Sequence, residues 1–265
     1  MTFKALLAIA ALLLALPAAA GTPARVDLLP GWRESAASHL AALHVVLAPG
    51  WKTYWRAPGE AGFVPQFDWS GSENVASVEA LWPVPEVDET GGMTSLVYHD
   101  ELVLPLRVQL SDPARAARLS GSLEMGVCDN ICMPMQVTVS AVLDAAQTAP
   151  DARIAAALAS RPMAGAEAGL GGVDCTADPI ADGMRVHAHV EMPALGAEEH
   201  AVIEGPSADI WVSDAMVERG PGGLTITADL VPPAARPFDL KGDDIRLTVL
   251  AEGTAVDIRG CQLDQ

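Results

Sequence analysis

The chain has 265 residues, 19% of them charged and 50% hydrophobic, and its 16 Lys+Arg against 34 Asp+Glu give a formal net charge of −18. So acidic a chain lacks the clustered cations that displace counterions, which excludes a footprint for nucleic acid or for an anionic membrane surface. With 23 Gly, 20 Pro and only 5% aromatics, it reads as many short elements in one large or two smaller domains, not as a helical bundle.

The first twenty residues have the parts of an export signal: Lys4 as the positive region, an apolar run over 5–16, and Pro17-Ala18-Ala19-Ala20 as a small-residue cleavage site before Gly21. The run is shorter than the roughly 20 residues a membrane span needs. Residues 1–20 are therefore expected to be removed, leaving a mature chain with no span, in a compartment where disulfides form.

Period-2 alternation then marks strands. Leu43, Val45 and Leu47 alternate with His44 and Val46 before a turn at Gly50-Trp51. Leu102, Leu104, Leu106 and Val108 face one way, with Pro105 between them, which predicts an edge strand or a bulge. Leu119, Gly121, Leu123, Met125 and Val127 lead into Cys128, and Val137, Val139, Ala141 and Leu143 lead away from Cys132. An Ala-rich segment over 151–160, with Asp in its first turn and Pro162 beyond its end, predicts a short helix, and a small-residue, glycine-rich linker follows over 163–172. Alternation resumes at Val186, Ala188 and Val190, at Ile210 and Val212, at Leu224 and Ile226, at Ile245, Leu247 and Val249, and at Val256 and Ile258. The expectation is an all-β chain of two immunoglobulin-like β-sandwich domains joined by a short helical linker: signal 1–20, first domain 21–147, helix and linker 148–172, second domain 173–265.

The four cysteines fall into two unlike sets. Cys175 and Cys261 stand before the first and after the last predicted strand of the second domain, and a bond closing so long a loop has the character of a structural staple, worth about 4–5 kcal/mol on the chain-entropy model. Cys128 and Cys132 flank the connection between two neighbouring strands, a geometry that brings Cα atoms within bonding range. Such a pair is either an inert clip or a site of thiol–disulfide exchange. Asp129 beside Cys128 disfavours a nearby thiolate, and no Lys or Arg lies between 128 and 134 to offset it. That favours the oxidised form and makes the reduced form a willing electron donor.

Residues 25–145 also resemble a known family, the periplasmic N-terminal domain of the thiol:disulfide interchange protein DsbD and its relative in ScsB-type proteins. The resemblance is carried, in order, by Pro49-Gly50-Trp51-Lys52-Thr53-Tyr54-Trp55-Arg56-Ala57-Pro58-Gly59-Glu60-Ala61-Gly62, by Trp82-Pro83-Val84-Pro85, by Val97-Tyr98-His99-Asp100-Glu101-Leu102-Val103-Leu104-Pro105-Leu106, and by the segment from Cys128 to Pro134. It implies an immunoglobulin-like periplasmic domain with no cofactor beyond its redox-active disulfide. A separate membrane-embedded thiol reductase would reduce Cys128 and Cys132, which in turn would reduce periplasmic thioredoxin-fold proteins, Cys132 attacking and Cys128 resolving. Two departures from the DsbD pattern stand out. The cysteines are closer together, with three residues between them, as in the ScsB branch. The segment aligned with the family's aromatic cap, Asp88, Glu89, Thr90, Gly91, Gly92 and Met93, has no aromatic, so either Met93 substitutes as the shielding group or the pair is less protected.

Two readings from other classes compete. Met125, Cys128, Cys132, Met133 and Met135 put five soft sulfurs within eleven residues, a donor set that selects Cu(I), with Cys128, Cys132 and Met133 as its centre; Met125 and Met135 stand at core-facing phases, which favours packing. A non-redox periplasmic binding module is the other. His187 and His189 share a strand face without an evident third ligand, His99 reads as a turn residue, and Trp51, Tyr54 and Trp55 read as packing. No hydrolase triad order, phosphate loop or dinucleotide fingerprint is present.

Overall fold

The structure, a computed structural model, describes residues 22–59, 62–90 and 92–263; the expected export signal lies outside them. The first half forms β1 (Ala24–Arg33), β2 (Ser38–Leu47), β3 (Lys52–Tyr54), β4 (Gln66–Asp68), β5 (Val75–Ala80), β6 (Glu86–Thr90), β7 (Met93–His99), β8 (Glu101–Leu110), β9 (Ala117–Cys128) and β10 (Cys132–Leu143). After α1 (Ala152–Ala159), the second half forms β11 (Met163–Ala164), β12 (Gly172–Pro179), β13 (Met184–Glu191), β14 (His200–Glu204), β15 (Trp211–Val212), β16 (Met216–Gly220), β17 (Gly223–Val231), β18 (Arg246–Ala251), β19 (Thr254–Arg259) and β20 (Gln262–Leu263). The chain is nearly all-β, as the short alternating runs predict.

Each half pairs a four-stranded with a six-stranded sheet. In the first, β1-β2-β8-β5 faces β10-β9-β3-β7-β6, with β4 added to β9; in the second, β11-β19-β18-β14 faces β15-β17-β13-β12-β20, with β16 added to β17. Between the first two sheets lie Leu43, Leu104, Leu106, Leu119, Val127 and Trp55; between the second two lie Val186, Leu224, Ile226, Leu230, Leu247 and Val256, all almost wholly buried. Each such aliphatic side chain stabilises the fold by about 1.5–3 kcal/mol relative to its exposed state.

The two halves pack on each other. β18 and β19 turn Leu250 and Ala255 away from their own core and into the first one, and Thr248, on that same outward face, is fully buried. The helix begins at Asp151, whose carboxylate accepts from the Arg153 backbone N–H at 2.9 Å, and it lays Ile154 inward.

Three expectations need correction. β8 is not an edge strand: it lies between β2 and β5. Pro105 is tolerated there because its carbonyl accepts from the Leu81 N–H, and the carbonyl and nitrogen of one strand residue point to one side. On that side β5 has already ended at Ala80, so no ladder bond needs the missing hydrogen. Cys175 precedes the strand expected at Val186, but lies inside an additional, unexpected one, β12. The supposed linker contributes β11, which pairs parallel with β19 through Met163 and Val256.

Candidate functional site

Cys128 closes β9 and Cys132 opens β10. The two strands run antiparallel with Cys132 opposite Cys128 and stay in register to Leu143 opposite Ala117. The cysteines are bonded, their Cα atoms 4.1 Å apart; Cys175 and Cys261 form the second disulfide, with Cα atoms 5.9 Å apart. Strand pleat decides where the first bond sits. Val127 and Met125 face the core, so Cys128 faces the opposite side of the sheet. There it is buried, with 1% of its surface exposed, against Tyr54 and Val97, while Cys132 is exposed. One sulfur is thus covered and its partner open.

The same pleat brings other strands' residues to this face. Lys52 stands opposite both Cys128 and His99, and Tyr54 opposite Val97, so the sulfurs share a surface with Lys52, Tyr54 and His99. The Tyr54 hydroxyl lies 3.1 Å from Cys128 Sγ and 3.5 Å from Cys132 Sγ. A disulfide sulfur has no hydrogen, so the hydroxyl is the donor. Burial raises the Tyr54 phenol above its usual value, with Lys52 lowering and Asp88 raising it, and the hydroxyl keeps its proton at neutral pH. Phe63 packs over the same spot: a Cβ on Gly126 would lie 2.5 Å from the Phe63 Cβ and 3.2 Å from Tyr54 Cδ2. Tyr54, Gly62, Phe63, Gly126, Cys132 and Pro134 line a cleft of about 140 Å³ at the open sulfur. Beside it Ile131 is 71% and Met133 39% exposed, an apolar rim around the reactive end.

Of the segment aligned with the family's cap, Asp88 belongs to this face: its carboxylate receives Lys52 Nζ at 2.8 Å and stands 3.7 Å from His99 Nε2, whose ring also meets Glu86 at 3.1 Å. Glu89 and Thr90 continue β6, Thr90 pairs with Met93, and Gly91 lies outside the described residues. Met93 is half exposed and stands six residues along β7 from His99. Among the described residues the aromatics at the sulfurs come instead from 54 and 63. The sequence placed Tyr54 with packing and did not single out Phe63, although alternation in Lys52-Thr53-Tyr54-Trp55 separates two polar-tipped residues from the core-facing pair. The cation missing from 128–134 also arrives across the sheet, as Lys52.

The register takes two of the proposed copper ligands away from the sulfur pair: Met135 pairs with Met125, Met125 buried in and Met135 packed against the core, while Met133, opposite Val127, borders the cleft at Cys132. His187 donates to or accepts from Thr227 Oγ1 at 2.9 Å. No group of three or more His, Cys, Asp or Glu among the described residues is arranged to hold a metal.

Fold and site together define an immunoglobulin-like domain with an asymmetrically exposed disulfide at its rim, followed by a second sandwich. Residues 25–144, the first sandwich, match the family model of the thiol:disulfide interchange protein DsbD, N-terminal. The solved N-terminal periplasmic domain of ScsB from Proteus mirabilis is 21% identical, with a TM-score of 0.70 covering 94% of this chain and 97% of that one, a likeness of fold extending over both sandwiches. A marsupial T cell receptor aligns at 9% identity with a TM-score of 0.18, too low to indicate a shared fold. No curated protein sequence matches the chain. No helix among the described residues is long and apolar enough to cross a membrane.

Proposed function

We propose that the protein is a periplasmic thiol–disulfide exchange protein that relays two electrons through Cys128 and Cys132. The observation that carries this reading is the asymmetry of the bond, with Cys132 exposed in its cleft and Cys128 buried under Tyr54. In the reduced protein the Cys132 thiolate attacks a client disulfide. A new S–S bond forms to one client sulfur while the old one breaks, and the other client sulfur leaves as a thiolate. The Cys128 thiolate then attacks Cys132 Sγ, regenerating the Cys128–Cys132 bond and releasing the second client thiol. Two electrons have passed to the client, and two thiol protons balance its two thiolates. The client class is a thioredoxin-fold protein, and a membrane-embedded thiol reductase restores the dithiol by the same exchange in reverse order. The apolar rim of Ile131 and Met133 supplies a dry contact for the incoming client, and Tyr54 supplies a hydrogen bond to whichever sulfur carries charge.

A redox titration of the mature protein with thiols mapped by alkylation tests this. Cys128 and Cys132 are expected to titrate reversibly at about −120 to −270 mV while the second disulfide stays oxidised; resistance of both pairs below about −300 mV makes the first a clip and the protein a binding module. Replacing Cys128 by Ser is expected to trap the client on Cys132, whereas replacing Cys132 by Ser yields no trapped client.

A further inference from the structure

Arg56 follows Tyr54 by two residues, in the bend just past the end of β3. Its side chain is largely covered, with 12% exposed. It crosses to the second sandwich. Nε donates to Glu204 Oε1 at 3.1 Å and Oε2 at 3.2 Å, while Nη2 donates to Glu204 Oε2 at 3.0 Å and to Thr248 Oγ1 at 3.1 Å. Asp257 stands 3.6 Å away and is itself held by Arg246 at 2.6 Å. The guanidinium also lies 3.8 Å over the ring of its own neighbour, Trp55. A forked cation held on two carboxylate oxygens is fixed in direction as well as place. Burial holds the Arg56 pKa below its usual value and Glu204 opposes that shift in part, so the carboxylate helps make that buried charge tolerable.

The backbone between Arg56 and Tyr54 is short and ordered. Trp55 N–H donates to the Leu96 carbonyl at 2.9 Å, and Leu96 N–H donates to the Pro58 carbonyl at 3.1 Å. Arg56, held by the second sandwich, and Tyr54, at the sulfurs, are therefore separated by a single backbone-anchored residue.

We propose that the second sandwich positions the Tyr54 hydroxyl on the thiol pair through the Glu204–Arg56 anchor, so that Glu204 and Arg56 are positioning residues for exchange. This rests on the exchange reading of Cys128 and Cys132 and names what readies the thiol. In the reduced protein a hydroxyl donating to a thiolate favours the charged form; a Tyr54 released from its anchor does so less.

The test is the pH midpoint for alkylation of Cys132 by iodoacetamide in the chemically reduced full chain. Tyr54→Phe is expected to raise the midpoint by about half to one unit, a three- to tenfold loss of thiolate below it. Glu204→Gln is expected to raise it in the same direction, and the double variant to match Tyr54→Phe alone, because the second change acts through a hydroxyl already gone. Asp229→Asn, which breaks the exposed Arg185 to Asp229 pair of the same sandwich, is expected to leave the midpoint where it was. Near-UV circular dichroism checks folding; should Glu204→Gln not fold, Thr248→Val weakens the same anchor and is read against the same controls. A Glu204→Gln midpoint equal to wild type, or a shift that adds in full to that of Tyr54→Phe, overturns the proposal. A pair with a potential below about −300 mV removes the exchange reading yet leaves the midpoint shift measurable, so the two failures are told apart.

Discussion

A phenol shared between two sulfurs changes what a disulfide can do, because the leaving sulfur of an exchange needs its developing charge met by a donor. Tyr54 is such a donor, and Lys52, paired with Asp88 on the same face, adds a cation within the field of that phenol. A different single residue ties stability to pH just below neutrality. His39 is 1% exposed, its Nε2 donates to the Pro30 carbonyl at 2.7 Å, and its Nδ1 is then a buried acceptor without a partner. Burial holds its pKa below the usual 6.5, with the Pro30 bond pulling the other way. The folded protein consequently binds fewer protons than the unfolded chain once the pH falls below about 6.5, and stability drops from there until the lowered value is passed. His39→Gln is expected to remove that component: the wild type's advantage over the variant, measured as a urea midpoint, should shrink between about pH 7.5 and pH 5. An advantage that stays constant across the range shows that His39 does not titrate with folding.

The β9 and β10 hairpin is what makes the site legible and also what hides part of it. Alternation over Leu119 to Val127 fixes which side Cys128 faces as soon as Val127 is assigned to the core, so the strand-flanked pair can be read from residue order. The strand β6 is harder to read, because Glu86 to Thr90 carries a single apolar residue, Val87, and so no apolar alternation. The covering side chains elude a reading along the chain altogether: Phe63 reaches Gly126 from a loop, and its only local sign is the glycine that makes room for it. Pro105 misleads for a related reason, since the chain does not announce that β5 stops short on the side of the missing hydrogen. Gly126→Ala is expected to push Phe63 and Tyr54 off the sulfurs, because the added methyl meets Phe63 Cβ at 2.5 Å. Overpacking of this kind costs about 1–3 kcal/mol, and the variant should show both a lower thermal midpoint and an altered rate of reduction by a small phosphine. A change in stability with an unchanged rate means that those two rings do not shield the bond.

The two sandwiches act as one body through Leu250, Ala255 and the Arg56 anchor, and the second disulfide closes the far side of that body by joining β12 to the segment just before β20. Replacing Cys175 and Cys261 by Ala is expected to lower stability by about 4–5 kcal/mol on the chain-entropy model, while the open pair still exchanges. Charge acts at the same level. A formal −18 steers cationic partner faces and repels acidic ones, so the association rate with a basic client should fall as salt rises from about 0.05 to 0.5 M; a rate indifferent to salt means that docking is apolar and confined to the rim.

The unequal spans of the two disulfides also impose a timetable on the newborn chain. Cys128 and Cys132 are four positions apart and meet as soon as their hairpin closes, whereas Cys175 must wait for Cys261, 86 positions further on. Throughout that wait Cys175 is a lone thiol whose nearest available sulfurs are the two that must stay unencumbered. Early closure of the hairpin, with Cys128 tucked under Tyr54, takes one of those sulfurs out of reach before the late-arriving half is complete, so the geometry that serves exchange in the finished molecule also guards against cross-pairing while it is being made.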